Sequence, residues 1–300
     1  MAFGVKRDND FKYTSVPADK LNLEGLKVAI VGGTGGLGQG LSRFFCSKGA
    51  DVTVVGRTFR DNDLEKVQFI KADLELMTEA KRVSEELSKQ HLDMVVLSTG
   101  IFATHERQVT SENLERDMAV SYLNRLVVLR NLVPALEKTN SSKFDKARVF
   151  VFGFPGTGEL GTLGDLNSDG KYNNMKAHMN TVAGNEALVL DSAGRYPGVA
   201  FFGLNPGLVK TAIRNNFLGE GTWKSRIVES LIGFFYPSTQ QYAERVGPMM
   251  VSSGLDGHSG KFFGANAEPI HRSQGFTDSY VKKFMAESEA LVKKAGVSLE

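Results

Sequence analysis

The chain alternates between short apolar runs and longer segments in which apolar residues recur every three or four positions. The short runs are rich in valine and isoleucine and show no regular polar alternation, as is typical of strands buried on both faces of a parallel sheet. Helical patterns lie between most of them. Strands and helices that alternate in this way predict an α/β protein with a doubly wound parallel sheet and helices on both faces. The predicted strands are 28–31, 52–55, 67–70, 94–97, 149–152 and 199–204.

A glycine-rich turn at residues 32–38 follows the first predicted strand and leads into a helix with an apolar face. Glycines at such a turn permit a tight bend, a close approach of the backbone to a pyrophosphate and close packing of helix on strand. The helix N-terminus then faces the phosphates. A glycine loop without a ligand is the less favoured interpretation, because both the strand and the helix are in place. The candidate cofactor-binding residues of the turn are Gly32, Thr34, Gly35, Gly36, Leu37 and Gly38.

The end of the second predicted strand indicates which dinucleotide the chain prefers. An NAD site places a carboxylate there for the ribose 2′-hydroxyl, whereas this chain has Gly56 followed by Arg57, with Arg60 nearby. A guanidinium binds phosphate through two parallel hydrogen bonds. Arg57 therefore predicts a 2′-phosphate and NADP(H) as the cofactor, with a solvated loop arginine as the alternative interpretation.

Three further strand ends supply candidate cofactor contacts. A polar pair after the third strand suits the adenine, and a small-residue segment after the fourth lets the backbone pass close to the cofactor. A Pro-Gly segment after the sixth strand suits the nicotinamide carboxamide. The candidates, in chain order, are Asp73, Leu74, Thr99, Gly100, Pro206, Gly207, Val209 and Thr211.

Composition narrows the function classes further. The 36 basic and 34 acidic residues are spread along the chain and give a net charge of +2, so no nucleic-acid footprint is predicted. The single cysteine, Cys46, cannot form an intrachain disulfide. The five histidines are scattered without metal-ligand spacing, so no metal site is predicted. Without a signal-peptide core or an apolar run of about 20 residues, we expect a cytoplasmic protein that has no membrane span.

The predicted organisation is a polar N-terminal arm at 1–22 and a single domain at 23–300. Within the domain, the segment 213–242 carries several large apolar residues. It is interpreted as a lid over an apolar substrate pocket. The alternative is simple core packing, which is the more frequent role of such residues at helical spacing.

These residues together resemble the short-chain dehydrogenase/reductase family over about residues 26–275. The family's glycine spacing is met by Gly32, Gly36 and Gly38, its Asn-Ala-Gly motif is replaced by 98–100, and its Pro-Gly-x-Val-x-Thr motif is intact at 206–211. Segments 165–167, 259–263 and 280–293 look like the retinol-dehydrogenase-like branch. The resemblance implies a Rossmann-type domain, NADP or NAD, a lipophilic alcohol or carbonyl substrate, and a homodimer or homotetramer.

In this family a tyrosine transfers the substrate proton and a lysine four residues later assists it. A serine polarises the carbonyl, and an asparagine in the fourth helix supports the lysine. Tyr172 and Lys176 match the tyrosine and lysine spacing. One helical turn would bring both onto one face. They are therefore the first candidate pair of catalytic residues.

The register of the resemblance favours a different residue, His178. In the retinol-dehydrogenase-like branch the tyrosine follows the asparagine of the Asp-Leu-Asn segment by about eleven residues, and counting from Asn167 reaches His178. This register places Val182 at the lysine, Phe154 at the serine and Ser121 at the asparagine. The two registers exclude each other, because six residues turn a helix by about 600° and point Tyr172 and His178 in different directions.

Three functions remain open from the sequence. The first is an NADP-dependent oxidoreductase that uses either Tyr172 with Lys176 or His178 as the acid, since histidine transfers protons near neutral pH. The second is a cofactor-binding sensor or partner subunit without turnover, because cofactor motifs are kept where catalytic residues are lost. The third is a non-redox enzyme that reuses the apolar pocket. An ordinary partly buried histidine is as compatible with the sequence at 178 as a catalytic one.

Overall fold

The computed structural model describes residues 5–65, 67–139, 141, 143–207 and 237–299. The strands in these ranges are β1 (Lys27–Val31), β2 (Asp51–Gly56), β3 (Val67–Lys71), β4 (Met94–Leu97), β5 (Ala147–Phe152), β6 (Val199–Leu204), β7 (Lys261–Phe263) and β8 (Pro269–Ile270). They form one sheet in the order β3-β2-β1-β4-β5-β6-β7-β8. All neighbours are parallel except β7 and β8, which are antiparallel.

The helices in the same ranges lie on both faces of this sheet. They are α1 (Gly36–Ser47), α2 (Met77–Leu87), the single turn α3 (Arg116–Met118), α4 (Asn124–Leu136), α5 (Asn174–Arg195), α6 (Thr239–Met250) and α7 (Asp278–Lys294). A π-helical turn, Ala119–Leu123, joins α3 to α4. Short 3₁₀ turns occur at Ala18–Lys20 and Ser253–Leu255.

The predicted doubly wound α/β fold is confirmed, and each predicted strand lies within an observed one. From β1 the chain builds β2 and β3 on one side and then returns to place β4 on the other side of β1. Ligands of such sheets bind at the carboxyl ends of the strands where the order reverses. Candidate residues after β1, β2 and β4 therefore meet at one edge. Strands β7 and β8 were not predicted from the sequence, because they are only three and two residues long.

Alternate residues of the strands enter two separate cores. Val28 and Ile30 of β1 pack with α1 and α6, whereas Ala29 and Val31 pack in the other cluster with α2, α4, α5 and α7. The period of two in a strand sends neighbouring side chains to opposite faces. An apolar run is needed here because both faces of the sheet are covered.

The described part of the predicted N-terminal arm lies against the body of the domain. Arg7 forms an antiparallel bridge with Ile270, and the Asp8 amide donates to the Pro269 carbonyl oxygen at 3.0 Å. Phe11 is buried among the residues packed around α1 and α6. The arm thereby covers the edge of the sheet at β8, and an apolar ring within a polar segment anchors it.

Most of the predicted lid at 213–242, together with Val209 and Thr211, lies outside the described residues. Its last residues begin α6, where Ser238 and Gln241 form a reciprocal N-terminal cap. None of the helices in the described ranges has both the length and the apolar character that a membrane crossing requires.

Close packing of α5 on the π-helical turn depends on Gly184. A β-carbon at this position would lie 2.8 Å from ring atoms of Tyr122, a fully buried side chain. The Tyr122 hydroxyl donates to Ser288 of α7 at 2.9 Å, so the ring is held on its far side as well. The contact leaves the ring little room to move.

Gly184→Ala is therefore expected to lower the free energy of unfolding by about 1–3 kcal/mol through overpacking. Gly194→Ala in the same helix is the matched control, because its β-carbon would have no atom within 4 Å. It is expected to be neutral or to stabilise by up to about 1 kcal/mol. Denaturant unfolding of both variants measures the difference, and equal effects would contradict the packing account.

Candidate active site

The glycine turn between β1 and α1 is tightly packed beneath and open above. A β-carbon at Gly32 would lie 2.6 Å from the Thr99 amide nitrogen, and one at Gly38 would lie 2.3 Å from the Gly32 carbonyl oxygen. Gly32 and Gly36 have φ of +92° and +54°, which favours glycine. A β-carbon at Gly35 would meet nothing within 4 Å. The turn therefore fits a pyrophosphate on its open side, in front of the N-terminus of α1.

Thr34 of the glycine turn reaches the end of β2, where Arg57 follows Gly56. A β-carbon at Gly56 would be 2.6 Å from the Thr34 hydroxyl oxygen, so the Thr34 side chain rests against Gly56. Arg57 and Arg60 are exposed, and neither pairs with a carboxylate of the described residues. Within the described ranges, both guanidinium groups are therefore free of acidic partners at this edge.

The loop that carries these arginines is fastened to α1 through Asp61. Arg43 donates to both Asp61 oxygens, at 2.5 and 3.1 Å, and Gln39 donates to the same carboxylate at 3.0 Å. The hydrogen bonds from Arg43 hold the pKa of Asp61 below its usual range, although burial opposes the shift. The loop is thus held on the helix that carries the glycine turn.

The candidate adenine contacts lie next to this edge. The Ala72 amide donates to the Gly56 carbonyl oxygen at 2.9 Å, which brings the exposed Asp73 close to the end of β2. Leu74 is buried, and its carbonyl oxygen accepts a hydrogen bond from Asn124 of α4 at 3.2 Å. Both residues are therefore near the same edge as Arg57.

A cavity of about 360 Å³ lies farther along the crevice, at the ends of β4, β5 and β6. It is bordered by Leu37 of the glycine turn, Gly100 after β4, and Pro206 with Gly207 after β6, all predicted cofactor contacts. Thr99 lies beside it and donates from its hydroxyl to Asn124 at 3.0 Å. The positions of the His178 register also border the cavity: Ser121, Phe154, His178 and Val182.

His178 is buried in this cavity wall and held on two sides. Its Nδ1 lies 2.7 Å from Oδ2 of Asp117, and its ring stacks on Phe102 with centroids 4.0 Å apart. Asp117 has no exposed surface, and its other oxygen accepts a hydrogen bond from the Ser121 hydroxyl at 2.5 Å. No described residue bonds to Nε2 of His178, the ring nitrogen that does not face Asp117.

Tyr172 and Lys176 are not among the residues that line the cavity. The Tyr172 hydroxyl lies 3.2 Å from the Thr104 carbonyl oxygen and 3.4 Å from Oε1 of Glu115. Burial, and next the nearby Glu115 carboxylate, raise the pKa of Tyr172 well above its usual value. Lys176 is exposed in the first turn of α5. The structure therefore separates this pair from the cavity into which it brings His178.

Two charged residues at the site, Asp117 and Arg125, were not predicted from the sequence. Arg125 is buried and donates to the carbonyl oxygens of Thr99 and Phe152 and, at 2.8 Å, to the Asn185 side chain. Burial lowers the pKa of Arg125 to about 9, while Asp117 opposes the shift. The guanidinium therefore keeps its charge at neutral pH. The spacing of four that links Asp117, Ser121 and Arg125 was the available signal, but the π-helical turn between them makes helical spacing an uncertain guide.

The fold and this crevice define an α/β protein of the dinucleotide-binding class. The family profile described as short chain dehydrogenase matches residues 27–143. An uncharacterised oxidoreductase of Saccharomyces cerevisiae is 45% identical over 294 residues, which cover 97% of this chain and 95% of the yeast protein. The chain therefore belongs to the short-chain dehydrogenase/reductase family and is an oxidoreductase of that type.

Solved structures share the fold at low sequence identity. A short-chain dehydrogenase/reductase family protein superposes with a TM-score of 0.61 and 16% identity, over 83% of this chain and 98% of the other. A second structure is described as an NAD(P)-dependent gluconate 5-dehydrogenase from Beutenbergia cavernae with NADP bound at low occupancy. It superposes with a TM-score of 0.61 and 18% identity, over 82% of this chain and 97% of the other. At these identities the likeness shows the fold alone.

Asp61→Asn is expected to lower the free energy of unfolding by about 1–3 kcal/mol at neutral pH, because it removes hydrogen bonds to a charged group. A carboxylate whose pKa is lowered by folding stabilises the protein above its unfolded pKa, and this contribution is lost as the pH falls. The difference between variant and wild type should therefore shrink on acidification below about pH 4. Denaturant unfolding across pH checks this, and a difference independent of pH would contradict it.

Proposed function

We propose that this protein is an NADP(H)-dependent oxidoreductase of lipophilic carbonyls and alcohols in which His178 carries the substrate proton. The observation behind the proposal is the position of His178 in the cavity beside Gly100, Pro206 and Gly207, with Tyr172 bonded elsewhere. Proton transfer requires an acid or base within hydrogen-bonding reach of the substrate. Of the two candidate registers, only the His178 register has its acid or base among the residues that line the cavity.

The lining of the cavity supports an apolar substrate. Most of its exposed wall is apolar, and the side chains responsible include Ile101, Phe102, Phe152, Phe154 and Met179. Apolar walls with a few placed polar groups are typical of small-molecule sites. The resemblance of segments 165–167 and 259–263 to the retinol-dehydrogenase-like branch favours the same substrate class.

The chemistry divides between the cofactor and His178. A nicotinamide bound in the crevice supplies a hydride to a carbonyl carbon or takes one from an alcohol. In reduction, protonated His178 gives its Nε2 proton to the carbonyl oxygen, which becomes the hydroxyl of the product. In oxidation, neutral His178 takes the hydroxyl proton at the same nitrogen. Phe154 stands where the family resemblance implies a serine, and it has no hydrogen-bond donor for the carbonyl oxygen. The Nε2 proton of His178 is therefore the hydrogen bond that this register offers to that oxygen.

The proposed preference for NADP(H) rests on Arg57. It follows Gly56 at the end of β2, where an NAD site has a carboxylate, and it is exposed without a described acidic partner. Thr34 of the glycine turn lies against Gly56, the residue before Arg57. The NADP bound to the similarly folded protein from Beutenbergia cavernae is compatible with this assignment.

A second candidate function, cofactor binding without turnover, is favoured by Phe154 and Val182. These apolar side chains stand at the cavity positions where the family resemblance implies a serine and a lysine. Removing members of a catalytic unit usually removes most of its effect. NADPH binding without carbonyl-dependent oxidation would support this second function.

His178→Asn is expected to lower kcat for NADPH-dependent reduction of lipophilic aldehydes by about 10²–10⁴. Asparagine keeps an N–H donor for Asp117 but has no group that corresponds to Nε2 of histidine. Tyr172→Phe is the matched control and should stay close to the wild-type rate, because its hydroxyl does not line the cavity. Absorbance of NADPH follows both reactions. Loss of activity in Tyr172→Phe with retention in His178→Asn would reverse the assignment.

Arg57→Asp is expected to weaken NADPH binding by at least about tenfold, because charge-assisted hydrogen bonds to the 2′-phosphate are lost. NADH binding should change little. Fluorescence titration with both nucleotides measures the effect, and Lys89→Asp is a charge-matched control on an exposed residue after α2. Equal weakening of both nucleotides by Arg57→Asp would rule out the 2′-phosphate contact.

A further inference from the structure

The carboxylate of Asp117 is fully buried beneath the cavity and has two polar contacts. Oδ1 lies 2.5 Å from the Ser121 hydroxyl oxygen, and Oδ2 lies 2.7 Å from Nδ1 of His178. Ser121 also accepts a hydrogen bond from the Ile101 amide at 3.0 Å. The Ser121 hydroxyl has two acceptors within reach, the Ile101 carbonyl oxygen at 3.3 Å and Asp117 at 2.5 Å, and the shorter contact is with Asp117.

We propose that Asp117 is a positioning residue that selects the tautomer of His178, keeping a proton on Nδ1 and the reactive lone pair on Nε2. An ionised carboxylate only accepts hydrogen bonds, so the imidazole nitrogen that faces it must be the donor. A neutral imidazole has one protonated nitrogen, and its tautomer is set by the partner of the other. The inference rests on the proposed role of His178 and adds the residue that fixes its orientation.

The charged groups that act on Asp117 are the Arg125 guanidinium and the Glu115 carboxyl group. The Arg125 guanidinium is close enough to Asp117 for an electrostatic interaction between the two side chains. The hydrogen bonds that Arg125 donates go to neutral oxygens. Glu115 is a second buried acid nearby, and burial raises its pKa. It accepts from the Met118 amide at 2.7 Å and contacts Tyr172, so neither of its oxygens competes for the His178 ring.

With the tautomer fixed, Nε2 of His178 both donates the proton in reduction and accepts it in oxidation. In carbonyl reduction, the Nε2–H bond breaks, the oxygen–hydrogen bond of the alcohol forms, and the ring returns to the neutral state with its proton on Nδ1. In alcohol oxidation, the Nε2 lone pair takes the hydroxyl proton and Asp117 stabilises the imidazolium that results. Asp117 itself gains no proton in either direction.

The experiment is a long-range ¹H–¹⁵N NMR spectrum of the full chain with ¹⁵N-labelled histidine, recorded where the imidazoles are neutral. The His178 resonances are those absent from His178→Asn. The expected result is a protonated Nδ1 and an unprotonated Nε2 for His178. A proton on Nε2, or a rapidly averaged mixture of tautomers, would overturn the proposal. This spectrum uses wild-type protein and needs no variant of Asp117 to fold.

Asp117→Asn separates positioning from a purely structural role. Its amide can donate to Nδ1, so His178 should shift toward the tautomer with its proton on Nε2, and kcat should fall by about 10²–10⁴, the range of a lost general acid or base. Glu115→Gln, which removes a carboxylate two residues away, is the control and should leave the tautomer unchanged. An unchanged tautomer in folded Asp117→Asn would overturn the proposal even if activity fell.

The two proposals fail in different ways. A wild-type protein with the proton on Nδ1 but no carbonyl-dependent oxidation of NADPH would keep the tautomer assignment and reject the proposed function. If His178→Asn loses turnover but the spectrum of the wild-type protein shows the His178 proton on Nε2, the proposed function stands and the role of Asp117 is rejected.

Discussion

The close contact between Gly32 and the backbone of Thr99 fixes where the crevice of this protein lies. No side chain fits between these two segments, so β1 and β4 end side by side and the turn into α1 is drawn down onto the sheet. The reversal of strand order at β1 then opens a groove above the turn. The ends of β2, β5 and β6 border the same groove because they run parallel to β1. A larger residue at Gly32 would therefore displace the whole ligand-binding edge.

Electrostatics in the cavity differ from those of the lysine-assisted tyrosine that the family resemblance implies. Val182 brings no charge, and the buried positive charge comes from Arg125 on α4. That charge faces Asp117, which in turn contacts His178. Buried charges are tolerated when they are paired or hydrogen-bonded. Arg125, Asp117 and His178 form a connected set in which each charge has an electrostatic or hydrogen-bonding partner. The proposed function uses His178, the member that borders the cavity.

The sequence predicted the strands because runs such as Val28–Val31 show burial on both faces directly. It did not predict Asp117 and Arg125, since a π-helical turn lies between them and helical spacing is uncertain there. Tyr172 shows the limit of motif spacing: its distance to Lys176 fits, but α5 begins only at Asn174, so the tyrosine precedes the helix. Asn173 caps that helix and sets its start, a feature that residue counting alone does not reveal.

The proposed function requires the nicotinamide end of the cofactor to lie beside His178. The most direct test is a crystal structure of the protein with NADP⁺ and a lipophilic alcohol. We expect the nicotinamide ring in the cavity near Pro206 and Gly207, with His178 Nε2 within about 2.6–3.2 Å of the alcohol oxygen. A nicotinamide ring outside this cavity, or an alcohol bound to the Tyr172 hydroxyl instead of His178, would contradict it.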